Sequence, residues 1–186
     1  MMNQSIATDK PLAVIASSSC SDGYDLARQF AEHGYDIIVA AANPSVVEEA
    51  EDFKELKVDA VSYQLDLSSP EGVEQLYRRI VATGRAVEAL VINTGLSEDL
   101  EQETILAKKV LHDMADRGFG RILFASCGDQ KDADKLCESL KHDIEGTGVT
   151  MKALSPDEQV VYFLDEEFTE DKKESSALLH LSLIHI

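Results

Sequence analysis

Along most of this chain, short apolar runs alternate with stretches whose apolar residues recur every three or four positions. The two periods predict strands and helices in turn. Residues 12–16 (Leu-Ala-Val-Ile-Ala) read as a buried strand. Residues 22–33 follow as a helix with Leu26, Ala27 and Phe30 on its inner face, stopped by Gly34. The alternation continues with strand 37–41, helix 45–56, strand 58–65, helix 69–82 and strand 89–92. It closes with helix 98–117, strand 121–125, helix 132–145 and strand 149–154. Ser45 caps the second helix with Glu48 three residues on. Pro70 fits the first turn of the third, where its missing N–H would have no partner. Leu106, Val110 and Met114 stripe the fourth helix, and Leu136, Leu140 and Ile144 the fifth.

Nearly all-apolar strands alternating with helices predict an α/β fold: a doubly wound parallel sheet of about six strands in a Rossmann-like three-layer αβα arrangement. This domain is expected to span 11–156. Residues 157–180 read as a C-terminal extension with one short element at 159–164 and a solvated charge run at 165–174. The last six residues, 181–186, match one reading frame of a transposon end used to build sequencing libraries. They are expected to be a sequencing-adapter scar that replaces the natural C-terminus, and they are kept out of the site reasoning.

A length of 186 residues suits one domain. The formal net charge of −18 repels nucleic acid and anionic membrane surfaces, which excludes both as partners. No apolar run approaches the roughly 20 residues that cross a bilayer. Residues 1–10 lack the apolar core of a signal peptide. Cys20, Cys127 and Cys137 form no C-x-x-C pair and fit a reducing compartment, so a cytoplasmic location is expected. The five histidines show no ligand spacing, and no metal site is expected.

In an open parallel sheet, ligands bind at the carboxyl ends of the strands where strand order reverses, so the first strand-to-helix turn matters most. It reads Ala16-Ser17-Ser18-Ser19-Cys20-Ser21-Asp22-Gly23. This resembles the T-G-x-x-x-G-x-G turn of the short-chain dehydrogenase/reductase family, with serine at two of the three glycine positions. Asp66-Leu67 after the third strand resembles the place of the family's acidic residue that holds the adenine ring. Asn93-Thr94-Gly95 after the fourth resembles its N-A-G motif. Gly118-x-Gly120-Arg121-Ile122 and Gly146-Thr147-Gly148-Val149-Thr150 extend the likeness to residues 11–156.

The resemblance implies NAD or NADP as cofactor, held by Ser17, Ser19, Ser21, Gly23, Asn43, Asp66, Leu67, Asn93 and Gly95. Serine Cβ atoms crowd the phosphate approach that glycine leaves open. Asp22 sets a carboxylate at a helix N-terminus that would otherwise attract phosphate. Cofactor binding is therefore expected to be weak. After the second strand, Asn43 stands where an acid would select NAD and an arginine NADP, which leaves the choice between them open.

The family's catalytic serine, Tyr-x-x-x-Lys pair and assisting asparagine are not matched. Cys127 falls at the serine position with Ser126 one residue early, and these two are remnants rather than catalytic groups. The residues four beyond Tyr24, Tyr35, Tyr63, Tyr77 and Tyr162 are Arg28, Val39, Leu67, Val81 and Glu166, none of them lysine. The segment between Gly95 and Leu106 is too short for the asparagine stretch. Without a positioned proton donor of suitable pKa the family's proton transfer has no agent. The expected function is a non-catalytic or weakly cofactor-binding relative of NAD(P)-dependent oxidoreductases. The alternatives are an active oxidoreductase with a rebuilt site and a decayed gene product without selected function. The expected assembly is a homodimer, or a heterodimer with an active relative, through apolar area from Leu106, Val110, Leu136 and Leu140.

Overall fold

The computed structural model describes residues 10–17, 22–95, 98–126 and 129–155. The chain divides into two units, Met1–Pro156 and Asp157–Ile186, and every described residue belongs to the first. In chain order the elements are β1 (Leu12–Ala16), α1 (Asp22–Glu32), β2 (Asp36–Ala41), α2 (Ser45–Glu49) and a 3-10 helix (Ala50–Leu56). Next come β3 (Ala60–Gln64), α3 (Pro70–Ala82), β4 (Val87–Thr94), α4 (Glu101–Arg117), β5 (Gly120–Ser126), α5 (Gln130–Ile144) and β6 (Val149–Ala153). The six strands form one sheet in the order β3-β2-β1-β4-β5-β6. Every pairing is parallel. The expected doubly wound αβα fold is the observed one.

Alternation along the strands divides the core in two. Leu12, Val14, Ala16, Ile38, Ala40, Leu90, Ile92, Ile122 and Phe124 pack with α3, α4 and α5 in one cluster. The intervening Ala13, Ile15, Ile37 and Val39 face the other way and are equally buried. On that side α1 and the 3-10 helix lie against the sheet, contributing Ala27, Phe30 and Phe53. Each fully buried side chain of this size contributes about 1.5–3 kcal/mol over its exposed state.

One helix differs from the expected pattern. The continuous helix over 45–56 breaks at Glu49, and the chain tightens into 3-10 geometry. Three residues per turn set Ala50 and Phe53 on the same side, and both are buried. Phe53 stacks on Tyr24 of α1 at 5.3 Å between ring centres. Elsewhere the local signals act as read: Pro70 opens α3, and Ser69 caps it by accepting a hydrogen bond from the Gly72 N–H at 3.1 Å.

Two polar links join residues far apart in the sequence. Tyr77 of α3 donates to Asp113 of α4 at 2.9 Å. At the amino ends of the strands, the buried Asp36 carboxylate meets Arg85 at 3.0 Å and accepts the Asp59 N–H at 2.8 Å.

Candidate functional site

Strand order reverses beside β1, whose neighbours are β2 and β4, so the ligand crevice of this fold lies at the carboxyl ends of β1 and β4. Ser17 directly follows β1 and Asn93 lies near the end of β4. Both continue the strand series that faces α1. The Ser17 N–H donates to the Ala40 carbonyl at 2.9 Å, extending the β1–β2 ladder by one residue. Ser17 and Asn93 follow the last register pair of β1 and β4, Ala16 with Ile92, and the Asn93 amide donates to Ser17 Oγ at 3.4 Å between these neighbouring strand ends. Ser17 is 3% exposed, Asn93 0% and Thr94 3%, so polar residues at the switch point are as buried as the core.

Gly23, in the first turn of α1, sits directly against Ser17. A Cβ on residue 23 would come within 2.5 Å of Ser17 Oγ and 2.6 Å of its Cβ. The glycine kept here therefore serves close helix–strand packing. Asp22 is the first residue of α1. Ser19 and Ser21 lie outside the described residues. Gly95 is exposed just after β4 with φ of 102°.

The loops after β2, β3, β4 and β5 share one device. The side-chain oxygen of an Asn or Asp accepts the backbone N–H two residues on. Asn43 takes the N–H of Ser45 at 3.1 Å and Asp66 that of Ser68 at 3.1 Å. Asp99 takes that of Glu101 at 3.2 Å and Asp129 that of Lys131 at 3.0 Å. These are Asx turns: those at Asn43, Asp99 and Asp129 hold an N–H in the first turn of a helix, and that at Asp66 lies just ahead of Ser69, the cap of α3. Three of the four bring a negative charge with them.

Asp66 is also bonded by the Ser68 hydroxyl, and the side-chain and backbone bonds from Ser68 hold its carboxyl below the usual range. A Cβ on Gly72 would land 1.8 Å from the Asp66 carbonyl oxygen, so glycine lets this loop lie flush on α3. The Leu67 side chain is 2% exposed and belongs to the core, while Asp66 and Asn43 are at the surface. Asp99 and Asp129 are absent from the sequence-based site. Their signal is an Asx immediately ahead of a helical pattern, as at Asn43 and Asp66.

The end of β5 carries little chemistry. Ser126 pairs in register with Thr94, and its hydroxyl donates to the Asp129 carbonyl at 2.9 Å, closing the turn into α5. Cys127 lies outside the described residues. α5 reads QKDADKLCESLKHDI and contains no tyrosine. The described tyrosines are Tyr24 on α1, Tyr35 ahead of β2, Tyr63 on β3 and Tyr77 on α3. Tyr162 lies outside the described residues. Lys131 and Lys135 of α5 are exposed. Cys137, half-buried on the same helix, has its thiol pKa pushed up to about 11, first by burial and then by Asp134.

The first turn of α4 buries two polar side chains that sequence reasoning missed, Gln102 at 6% and Glu103 at 0% exposure. Glu103 heads the stripe Ala107–Val110–Met114, and that spacing was the available signal. A carboxylate in a first helical turn is favoured by the helix dipole.

A cavity of about 320 Å³ between α1 and the 3-10 helix is lined by Tyr24, Arg28, Glu51, Asp52, Phe53, Glu55 and Leu56. It holds none of the expected site residues. Among the described residues no three His, Cys, Asp or Glu side chains form a metal cluster. Among them, too, no helix is long and apolar enough to cross a membrane.

Leu106, Val110, Leu136 and Leu140 are 0–1% exposed within this chain's own core. These four side chains therefore do not supply a partner surface. The expectation that they would is corrected by their packing against the sheet.

Sheet order, crossover position and crevice together define a dinucleotide-fold protein. The short chain dehydrogenase family model matches residues 12–117, more than half of the sequence, and the chain belongs to that family. The matched span stops at the end of α4, ahead of the β5–α5 segment. No curated protein sequence matches the chain.

Solved structures with the same fold include a metagenomic short-chain oxidoreductase in complex with NADP. It is 16% identical with a TM-score of 0.66, covering 80% of this chain and 82% of that one. An NAD+-bound xylitol dehydrogenase is 18% identical with a TM-score of 0.65, covering 78% and 69%. Acetoin dehydrogenase from Enterobacter cloacae is 18% identical with a TM-score of 0.69, covering 79% and 74%.

Proposed function

We propose that this chain is a non-catalytic member of the short-chain dehydrogenase family that binds NAD or NADP weakly, in a cytoplasmic setting consistent with its cysteine usage. The observation that carries the reading is α5, which follows β5 directly and has no tyrosine along its whole length. Proton transfer to a carbonyl oxygen needs a donor within hydrogen-bond reach and of suitable pKa. The Ser126 hydroxyl donates to the Asp129 carbonyl, and the described thiol, Cys137, is made a poor acid by burial, which pushes its pKa up to about 11.

Weak binding has separate support. Ser17 packs against Gly23 in the first turn of α1, and Asx side chains hold backbone N–H groups in the loops after β2, β3, β4 and β5. Three of those side chains are carboxylates, which repel a diphosphate.

The test is a turnover assay with NADH and NADPH against a panel of aldehydes and ketones, paired with calorimetric titration of both cofactors. Titration is expected to show weak binding, and the assay no oxidation above background. Cofactor oxidation that follows the folded protein through purification, and that disappears in a Cys127→Ala variant, overturns the reading in favour of a rebuilt active site.

A further inference from the structure

We draw no further inference here: the strongest candidate, the cavity between α1 and the 3-10 helix where Glu51, Asp52 and Glu55 stand beside Tyr24 and Arg28, is an acidic cluster in which Asp52 already accepts the Tyr24 hydroxyl and Glu51 already pairs with Lys54, and nothing among the described residues shows what ligand would fill it.

Discussion

Residue 23 is glycine because Ser17 occupies the space its Cβ would take, with Ser17 Oγ only 2.5 Å from that point. The two positions belong to one packing decision, in which bulk at one requires its absence at the other. Gly23→Ala is therefore expected to destabilise the chain by about 1–3 kcal/mol, the usual cost of overpacking a filled site. In a Ser17→Gly background the same change should cost about 1 kcal/mol less, because the colliding atoms are gone. Denaturant midpoints for the four members of the cycle measure this. Additive effects would show that the two residues relax independently.

Asp66 illustrates how far the sequence could be read. Its place after β3 was legible from the apolar run before it and the helix signal after it, and the structure puts it there. The local geometry was also available, since Asp66-Leu67-Ser68 and Asn43-Pro44-Ser45 both carry an Asx two residues ahead of a donor. Reading those side chains only as cofactor ligands hid their structural work. The 3-10 break at Ala50 was not legible, because helical and 3-10 spacing differ by less than one residue per turn and Phe53 chooses between them by docking on Tyr24. The long-range pairs Asp36–Arg85 and Tyr77–Asp113 join residues that no local pattern relates. The strands were read best: five apolar residues placed β1 to the residue, because a strand buried on both faces admits little else.

The Asp66 turn makes a pH prediction. Hydrogen bonds from Ser68 stabilise the ionised carboxylate in the folded chain and lower its pKa there. A group whose folded pKa is depressed contributes its stabilisation above the unfolded value and loses it as pH falls through the folded value. The turn is thus expected to stay closed through the ordinary carboxylate range and to open only below it. Carbon-detected NMR titration should place the Asp66 midpoint below those of exposed aspartates. Ser68→Ala should raise it toward them. A midpoint indifferent to Ser68 would remove the cause assigned to the shift.

Cys137 should be a poor nucleophile. A free thiol ionises near 8.5, whereas burial and Asp134 push this one up to about 11. The thiolate is the reactive form, so alkylation by iodoacetamide at pH 8 should run at least tenfold slower than for an unhindered cysteine and should accelerate as pH rises toward 11. Peptide mass spectrometry with timed labelling reads the site directly. Fast labelling at pH 8 in the folded chain would mean that Cys137 is less buried than its packing against the core implies.

The last prediction separates a core residue from an interface residue. Leu140 lies on α5 at 0% exposure, in the same cluster as Leu106, Val110 and Leu136. Had it faced a second chain, a charge at this position would break a dimer into folded monomers. Facing its own sheet, the charge is buried without a partner, and the leucine's packing in that cluster is lost at the same time. The two costs together reach about 4 kcal/mol or more, a large part of the 5–15 kcal/mol that holds a typical domain folded. Leu140→Glu is therefore expected to unfold the chain or lower its melting temperature steeply, with loss of the far-UV helix signal on mild heating. Glu138→Arg, on the exposed side of the same helix, should change stability by no more than about 0.5 kcal/mol. Light scattering at several concentrations should give the unmodified chain the mass of one copy, 20.4 kDa. A concentration-dependent doubling of that mass, abolished by Leu140→Glu in a protein that keeps its circular dichroism, would return Leu140 to an interface and displace it from the core.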